Sequence, residues 1–181
     1  MKKKSTQVAM GGMFSALCVT LMFFTGIVPF ATYALPMLAG AFLIPIVVEL
    51  GGGTAVTVYA SVAFLSAFVV ADKEAAMLFI VFFGHYPILR RSLERLRPGA
   101  LRLMVKLAVF NVTVVGGFLF TAHILGVAEI LGGFGDLGGY TMPALLLIAN
   151  IFFLVYDRAL VRYYSLYIYR FRPRFLRRQS M

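Results

Sequence analysis

Residues 54–88 have the sequence TAVTVYASVAFLSAFVVADKEAAMLFIVFFGHYPI, in which the charged triplet Asp72-Lys73-Glu74 separates two apolar runs. The triplet contains the only lysine or arginine between Lys4 and Arg90. Apolar runs of this length on both sides of a few charged residues are typical of two membrane-spanning helices joined at one membrane face. The triplet is therefore predicted to form the tip of a helical hairpin.

The composition of the whole chain indicates an integral membrane protein. Of its 181 residues, 61% are hydrophobic and 13% are charged, whereas a soluble domain has about 45–50% apolar and about 25% charged residues. At about 20 residues per span, the chain has room for six helices with short loops. The predicted fold class is all-α integral membrane, with six transmembrane helices in a single membrane domain over residues 1–181.

The span boundaries follow from residues that interrupt helices. Pro29 ends the first span, and the Gly51-Gly52-Gly53 turn separates the second from the third. Pro45 is expected to kink the second span, and Gly84 with Pro87 to distort the fourth, because proline lacks a backbone donor. The predicted spans cover approximately residues 6–28, 35–50, 54–70, 75–89, 103–125 and 140–160, followed by a basic aromatic cytoplasmic tail over 161–181.

The positive charges predict the orientation of the chain, because cytoplasmic loops are enriched in lysine and arginine. With six spans, the N-terminal lysines, the Arg90–Arg102 loop and the C-terminal arginines share one side, which is then the cytoplasm. The links on the other side carry Lys73 as their single base, together with the acids Asp72, Glu74, Glu129 and Asp136. We therefore expect a multi-pass protein of the bacterial plasma membrane with both termini cytoplasmic.

Neither nucleic-acid binding nor catalysis is indicated. The net charge of +10 comes from basic residues that cluster beside apolar runs, as in cytoplasmic loops. A nucleophilic or metal site needs several convergent groups. The two histidines, His85 and His123, fall at opposite ends of neighbouring spans, and the single cysteine, Cys18, lies in an apolar run. The sequence therefore predicts no catalytic residue, no metal site and no cofactor, and we expect the chain not to be an enzyme.

Polar residues within the predicted spans are candidates for function, because burying them in lipid is costly. Asn111 and Asn150 fall at similar depths on neighbouring spans. They could form a structural hydrogen bond between helices, or the floor of a substrate pocket. Lys106 and Asp157 both fall near the cytoplasmic end, and a structural ion pair is predicted for them.

A candidate small-molecule site lies at the outer face. Aromatic walls with a few fixed polar groups are typical of such sites. Lys73 is a candidate contact of this site, and the alternative is a solvated loop charge paired with Glu74. The predicted substrate-binding residues, including the two asparagines, are Phe30, Tyr33, Lys73, Glu74, Asn111, His123 and Asn150.

Small residues form a second pattern on the first span. Gly12 with Ala16, and Gly11 with Ser15, are four residues apart. Such pairs allow helix backbones to approach closely in lipid. The neighbour could be a helix of another protein or a helix of the same chain.

Two segments, Gly26-Ile27-Val28-Pro29-Phe30-Ala31-Thr32-Tyr33 and Ala71-Asp72-Lys73-Glu74-Ala75-Ala76, resemble those of a small group related to the substrate-binding S components of energy-coupling factor (ECF) vitamin transporters. The six spans, the cytoplasmic termini and the basic start before a small-residue first helix agree with this resemblance. S components carry an alanine-xxx-alanine motif on helix 1 that docks onto the coupling subunit. Here Ala9, Gly12 and Ala16 stand at that place, although Met13 occupies the position of the small partner of Ala9.

The resemblance implies that the chain captures a vitamin or related metabolite from outside, beneath the link between spans 1 and 2. It implies further that the chain topples within the membrane lipid on a transmembrane coupling subunit and two ATPase subunits. A standalone small-molecule transporter or channel, a membrane enzyme and a membrane assembly factor are the alternatives.

Overall fold

In the computed structural model, the protein is all-helical over the described residues, which are 4–28, 31–125 and 141–172. No strand occurs among these residues. Four helices are long and apolar enough to cross a membrane: Lys4–Phe24, Gly52–Val69, Gly99–Gly117 and Pro143–Arg170. The all-α part of the predicted fold class is confirmed, and the count of six spans stays a prediction.

The helices are numbered in chain order within the described residues. They are α1 (Lys4–Phe24), α2 (Ala34–Ala41), α3 (Leu43–Glu49), α4 (Gly52–Val69), α5 (Lys73–Leu78), α6 (Tyr86–Leu93), α7 (Gly99–Leu125) and α8 (Thr141–Leu166). A π-helical turn, Phe79–Phe83, follows α5, and another, Tyr167–Phe171, follows α8. The second and fourth predicted spans are therefore each made of shorter helical pieces.

The break in the second predicted span lies one turn before Pro45. Helix α2 ends at Ala41 and α3 begins at Leu43. Pro45 has no N–H, and its ring crowds the carbonyl four residues earlier, which is that of Ala41. The kink expected from Pro45 is confirmed.

The break in the fourth predicted span is built around Gly84. Its N–H donates to the Phe79 carbonyl, five residues earlier, at 2.8 Å. The Ile80 carbonyl, which an α-helical bond would use, accepts from the Tyr59 hydroxyl of α4 at 2.7 Å. A Cβ on Gly84 would lie 2.6 Å from two Tyr59 ring carbons. The expected distortion is confirmed, and the packing of Tyr59 explains why glycine occupies this position.

One compact unit comprises Met1–Arg95 and Leu160–Met181. Within it, α1 packs against α4 and α2, and α3 packs against α4. Helix α1 buries Gly11, Cys18 and Met22, which are seven and four residues apart and therefore lie on one helix face. The Cys18 thiol donates to the Ala39 carbonyl of α2 at 3.4 Å. The sequence interpretation of Cys18 as a small core residue is confirmed.

The other unit is Leu96–Ala159. Within it, α7 and α8 are joined by three side-chain contacts whose numbers rise on one helix and fall on the other, so the helices are antiparallel. Lys106 Nζ lies 2.8 Å from Asp157 Oδ2, and their side chains are 5% and 15% exposed. The Phe110 and Phe153 rings stack with centroids 4.6 Å apart, and Asn111 bonds Asn150. The predicted Lys106–Asp157 ion pair is confirmed.

Gly84→Ala is expected to destabilise the first unit by about 1–3 kcal/mol, because the new methyl group overlaps the Tyr59 ring. Gly12→Ala is the control, since a Cβ there meets no atom within 4 Å. Thermal unfolding can be followed by a thiol-reactive dye, because Cys18 is the only cysteine and is fully buried. Equal midpoints for the two variants would contradict the packing described for Gly84.

Lys106→Ala is expected to lower the free energy of unfolding by about 3–5 kcal/mol, because it leaves the Asp157 carboxylate buried without its cation. The double variant Lys106→Met with Asp157→Leu should recover most of this loss, since it removes both charges. Thermal unfolding followed by circular dichroism measures the difference. A single variant as stable as the parent chain would show that the pair is not structural.

Candidate functional site

The charged triplet forms the start of α5. Asp72 is the N-cap residue, and its Oδ1 accepts the Ala75 N–H at 3.0 Å. An aspartate at this position satisfies one of the backbone donors left free at a helix start. Helix α4 ends at Val69 and α5 begins at Lys73. The predicted hairpin tip is therefore a tight turn fixed by its own first acid.

Two hydrogen bonds connect this turn to the segment before α2. The Thr32 hydroxyl donates to Asp72 Oδ2 at 2.8 Å, and the Tyr33 hydroxyl donates to Glu74 Oε1 at 2.7 Å. Together with Lys73, these four residues are called the triplet cluster. Each bond links residues about forty positions apart in the chain, so the two segments are held side by side.

The end of α1 lies against the same turn. A Cβ on Gly26 would come within 3.2 Å of the Ala71 Cβ, so any larger residue would force the turn to shift. The two segments that carry the family resemblance, 26–33 and 71–76, are therefore in direct contact. The sequence predicts Tyr33, Lys73 and Glu74 at one membrane face, but the contact of Gly26 with Ala71 depends on how the helices pack and was not predicted.

Lys73 makes a contact that neither sequence alternative included. Its Nζ donates to the Ala67 and Val70 carbonyls, each at 3.0 Å, at the C-terminal end of α4. A cation there satisfies carbonyls that have no intrahelical donor and interacts favourably with the helix dipole. The ammonium group thus joins the end of one helix to the start of the next. A lysine a few residues beyond a long apolar run is the sequence signal for such a cap.

The electrostatics of the triplet cluster are dominated by its carboxylates. Donation to Glu74 raises the pKa of Tyr33 above the ordinary value of 10.0, and partial burial and the charges of Glu74 and Asp72 act in the same direction. The neutral hydroxyl is the form that can donate this bond. The contribution of the bond is therefore present below pH 10 and is lost as the pH rises through the raised pKa.

The remaining predicted substrate-binding residues fall into three groups. Phe30 lies outside the described residues. His123 lies near the end of α7, where the structure describes the backbone alone. Asn111 and Asn150 bond each other reciprocally at 2.9 Å, and their other N–H groups donate to the Leu107 and Leu146 carbonyls. All four amide N–H groups are satisfied within the helix pair, which favours the structural alternative for these two residues.

The two small-residue pairs of α1 lie in different environments. Gly11 is buried, and a Cβ there would lie 3.4 Å from Val58 of α4. Ala9, Gly12 and Ala16 are exposed, and a Cβ on Gly12 would meet nothing within 4 Å. Packing within the chain therefore uses Gly11, while the residues proposed from the family motif face outward.

Comparison of this chain with protein-family models, curated proteins and solved structures finds no match.

Tyr33→Phe and Glu74→Gln test the contact between the two segments by a double-mutant cycle. We expect a coupling energy of about 0.5–1 kcal/mol, as for a hydrogen bond to a charged acceptor in a partly exposed place. Glu74→Gln should also lower the pKa of Tyr33 towards its ordinary value. Ultraviolet difference titration, with the Tyr33→Phe protein as reference, measures that shift. Additive single effects and an unchanged pKa would contradict the contact.

Proposed function

We propose that this chain is the substrate-binding S component of an ECF-type importer, which captures a vitamin or related small metabolite for uptake driven by partner ATPases. The observation that carries the proposal is the contact between segments 26–33 and 71–76. In the proposed mechanism, the ligand binds beneath the link between spans 1 and 2. The hydroxyl–carboxylate bonds of the triplet cluster tie that link to the hairpin of spans 3 and 4.

The proposed topology has six spans, with both termini in the cytoplasm of a bacterial cell. The broken segments α2–α3 and α5–α6 are the second and fourth spans, in addition to the four long apolar helices. The basic residues that follow Pro87 then lie at the cytoplasmic face, at the other end of the α5–α6 segment from the triplet. In this arrangement every lysine and arginine except Lys73 lies on the cytoplasmic side, as expected for membrane proteins. The capping of α4 by Lys73 gives a separate reason for a lysine at that position.

The triplet cluster is the proposed closure of the ligand site. Breaking the Tyr33–Glu74 and Thr32–Asp72 bonds frees the link, and both bonds are weak enough to break in thermal motion. Tyr33, Lys73 and Glu74, with Phe30 and His123, are the proposed ligand contacts. Asn111 and Asn150 stay candidates whose present bonds favour a structural role.

The exposed face of α1 is the proposed contact with the coupling subunit. Ala9, Gly12 and Ala16 leave its backbone open, and close helix packing in lipid needs such a surface. The energy for transport comes from the coupling subunit and two ATPase subunits, and the chain itself needs no cofactor.

Purification from its own membranes in mild detergent, followed by native mass spectrometry, tests the proposal directly. The expected result is a complex with one coupling subunit and two ATPase subunits, and a bound metabolite. A chain that carries neither, and whose uptake activity persists in cells lacking every such module, would be a standalone transporter. Copurification with a large unrelated complex, without a small molecule, would identify an assembly factor.

Gly12→Leu separates docking from folding. The added side chain should reduce copurification of the coupling subunit at least tenfold, because it holds the helix backbones apart. Gly116→Leu on α7 is the matched control, since a Cβ at both positions meets nothing within 4 Å. Equal copurification of the two variants would remove the exposed face of α1 from the proposal.

A further inference from the structure

Two adjoining cavities lie at the end of α6, within the first unit. The first has a volume of about 320 Å³, and its apolar lining includes Ile44, Val47, Pro87 and Val161. Tyr164 and the charged residues Arg90, Arg91 and Glu94 complete the lining. The second has a volume of about 430 Å³ and shares Val47 and Arg91 with the first. The pair therefore joins an apolar slot to a basic recess.

The arginines of the two cavities differ in how they are satisfied. Arg90 is 8% exposed and pairs with Glu94 at 2.9 Å, so its charge is largely used within the protein. Arg91 donates through Nη1 to the Val47 carbonyl at 2.8 Å, which uses one of its five N–H groups. Arg95 lines the second cavity, and its backbone N–H donates to the Ser92 carbonyl at 3.2 Å. Its guanidinium group has no hydrogen-bond or ion-pair partner among the described residues. The recess therefore holds more donors and positive charge than the protein itself satisfies.

Gly51 and Gly52 of the triple glycine turn line the same recess. Gly51 has a φ of +92°, a conformation that glycine adopts without strain, and the first bond of α4 runs from the Ala55 N–H to the Gly51 carbonyl. The N–H groups of Gly52 and Gly53 precede that bond and have no acceptor within the helix. A Cβ on any of the three glycines meets nothing within 4 Å. Of these donors, the Gly52 N–H belongs to a residue that lines the recess, and it adds to the field of Arg91 and Arg95.

The position of the cavities along the helices defines the chemistry of the ligand. The glycine turn lies at the first residue of a candidate membrane span, Gly52–Val69, which is the level of lipid headgroups. Pro87 precedes Arg91 by one helical turn, and Ile44 precedes Val47 by nearly one, so the apolar slot continues from the recess along both helices. A matching ligand is anionic at one end and apolar at the other.

We propose that the two cavities bind one anionic phospholipid. Its phosphate lies against Arg91, Arg95 and the start of α4, and the beginning of an acyl chain follows the wall formed by Ile44, Val47, Pro87 and Val161. Basic recesses between membrane helices are suited to such headgroups. The site is independent of the proposed transport function, since it requires only a chain embedded in a membrane.

Titration of the delipidated full chain with phosphatidylglycerol tests the site, with native mass spectrometry counting bound lipids. Phosphatidylcholine with the same acyl chains and inorganic phosphate are the other two probes. One saturable phosphatidylglycerol is expected, with both other probes at least tenfold weaker. Equal binding of phosphatidylcholine would show an unspecific lipid surface, and equal binding of inorganic phosphate would show a site for soluble anions; either result overturns the proposal.

Arg95→Ala should weaken phosphatidylglycerol binding about fivefold, which corresponds to the loss of one basic group near a headgroup. Arg162→Ala removes the same charge from an exposed position on α8 outside both cavity linings, and it should change binding less than twofold. Equal losses for the two variants would mean that net charge, and not the recess, attracts the lipid.

The glycines provide a second matched pair. Gly52 lines the recess and Gly53 does not, although a Cβ on either glycine would meet nothing within 4 Å. Gly52→Ala should therefore weaken binding several-fold, while Gly53→Ala leaves it unchanged. Identical binding by the two variants would contradict the placement of the phosphate at the start of α4.

Discussion

Satisfaction of backbone carbonyls is the constraint on which this fold depends. In lipid, no water is available to a carbonyl that a break in a helix leaves without its donor. The chain interrupts its helices at Pro45, at Gly84 and at the triple glycine, so such carbonyls are numerous. Side chains from facing elements meet several of them. Tyr59 donates to Ile80, Arg91 donates to Val47, and Lys73 donates to Ala67 and Val70.

These bonds give a reason for the positions of Tyr59, Arg91 and Lys73 in so apolar a chain. Tyr59 needs Gly84, because a Cβ there would overlap its ring. Arg91 needs α3 to end where the Val47 carbonyl becomes available. Each of these three side chains is therefore matched to a particular backbone irregularity in another element. The breaks in the second and fourth predicted spans are thus parts of the packing, with specific partners.

The sequence was sufficient to predict the features that depend on residues close together in the chain. Pro45 and Gly84 marked the two breaks because their effects act within one helical turn. The Lys106–Asp157 pair followed from two charges at one depth of neighbouring spans. The role of Lys73 and the recess beside Gly51 could not be predicted, since each depends on which helix end faces which side chain. A single sequence also left Asn111 and Asn150 open, because a structural amide pair and a pocket floor require the same residues at the same depths.

The two ends of the first unit pose opposite chemical requirements for a ligand. Around the glycine turn, donors exceed acceptors, and an anion balances them. At the triplet cluster, the carboxylates of Asp72 and Glu74 accept from Thr32 and Tyr33. Under the proposed function, a ligand that opens this cluster leaves two carboxylates without these donors, which is costly in a partly buried place. It must therefore bring hydroxyl or amine groups of its own, and a neutral or cationic metabolite fits that requirement better than an anion.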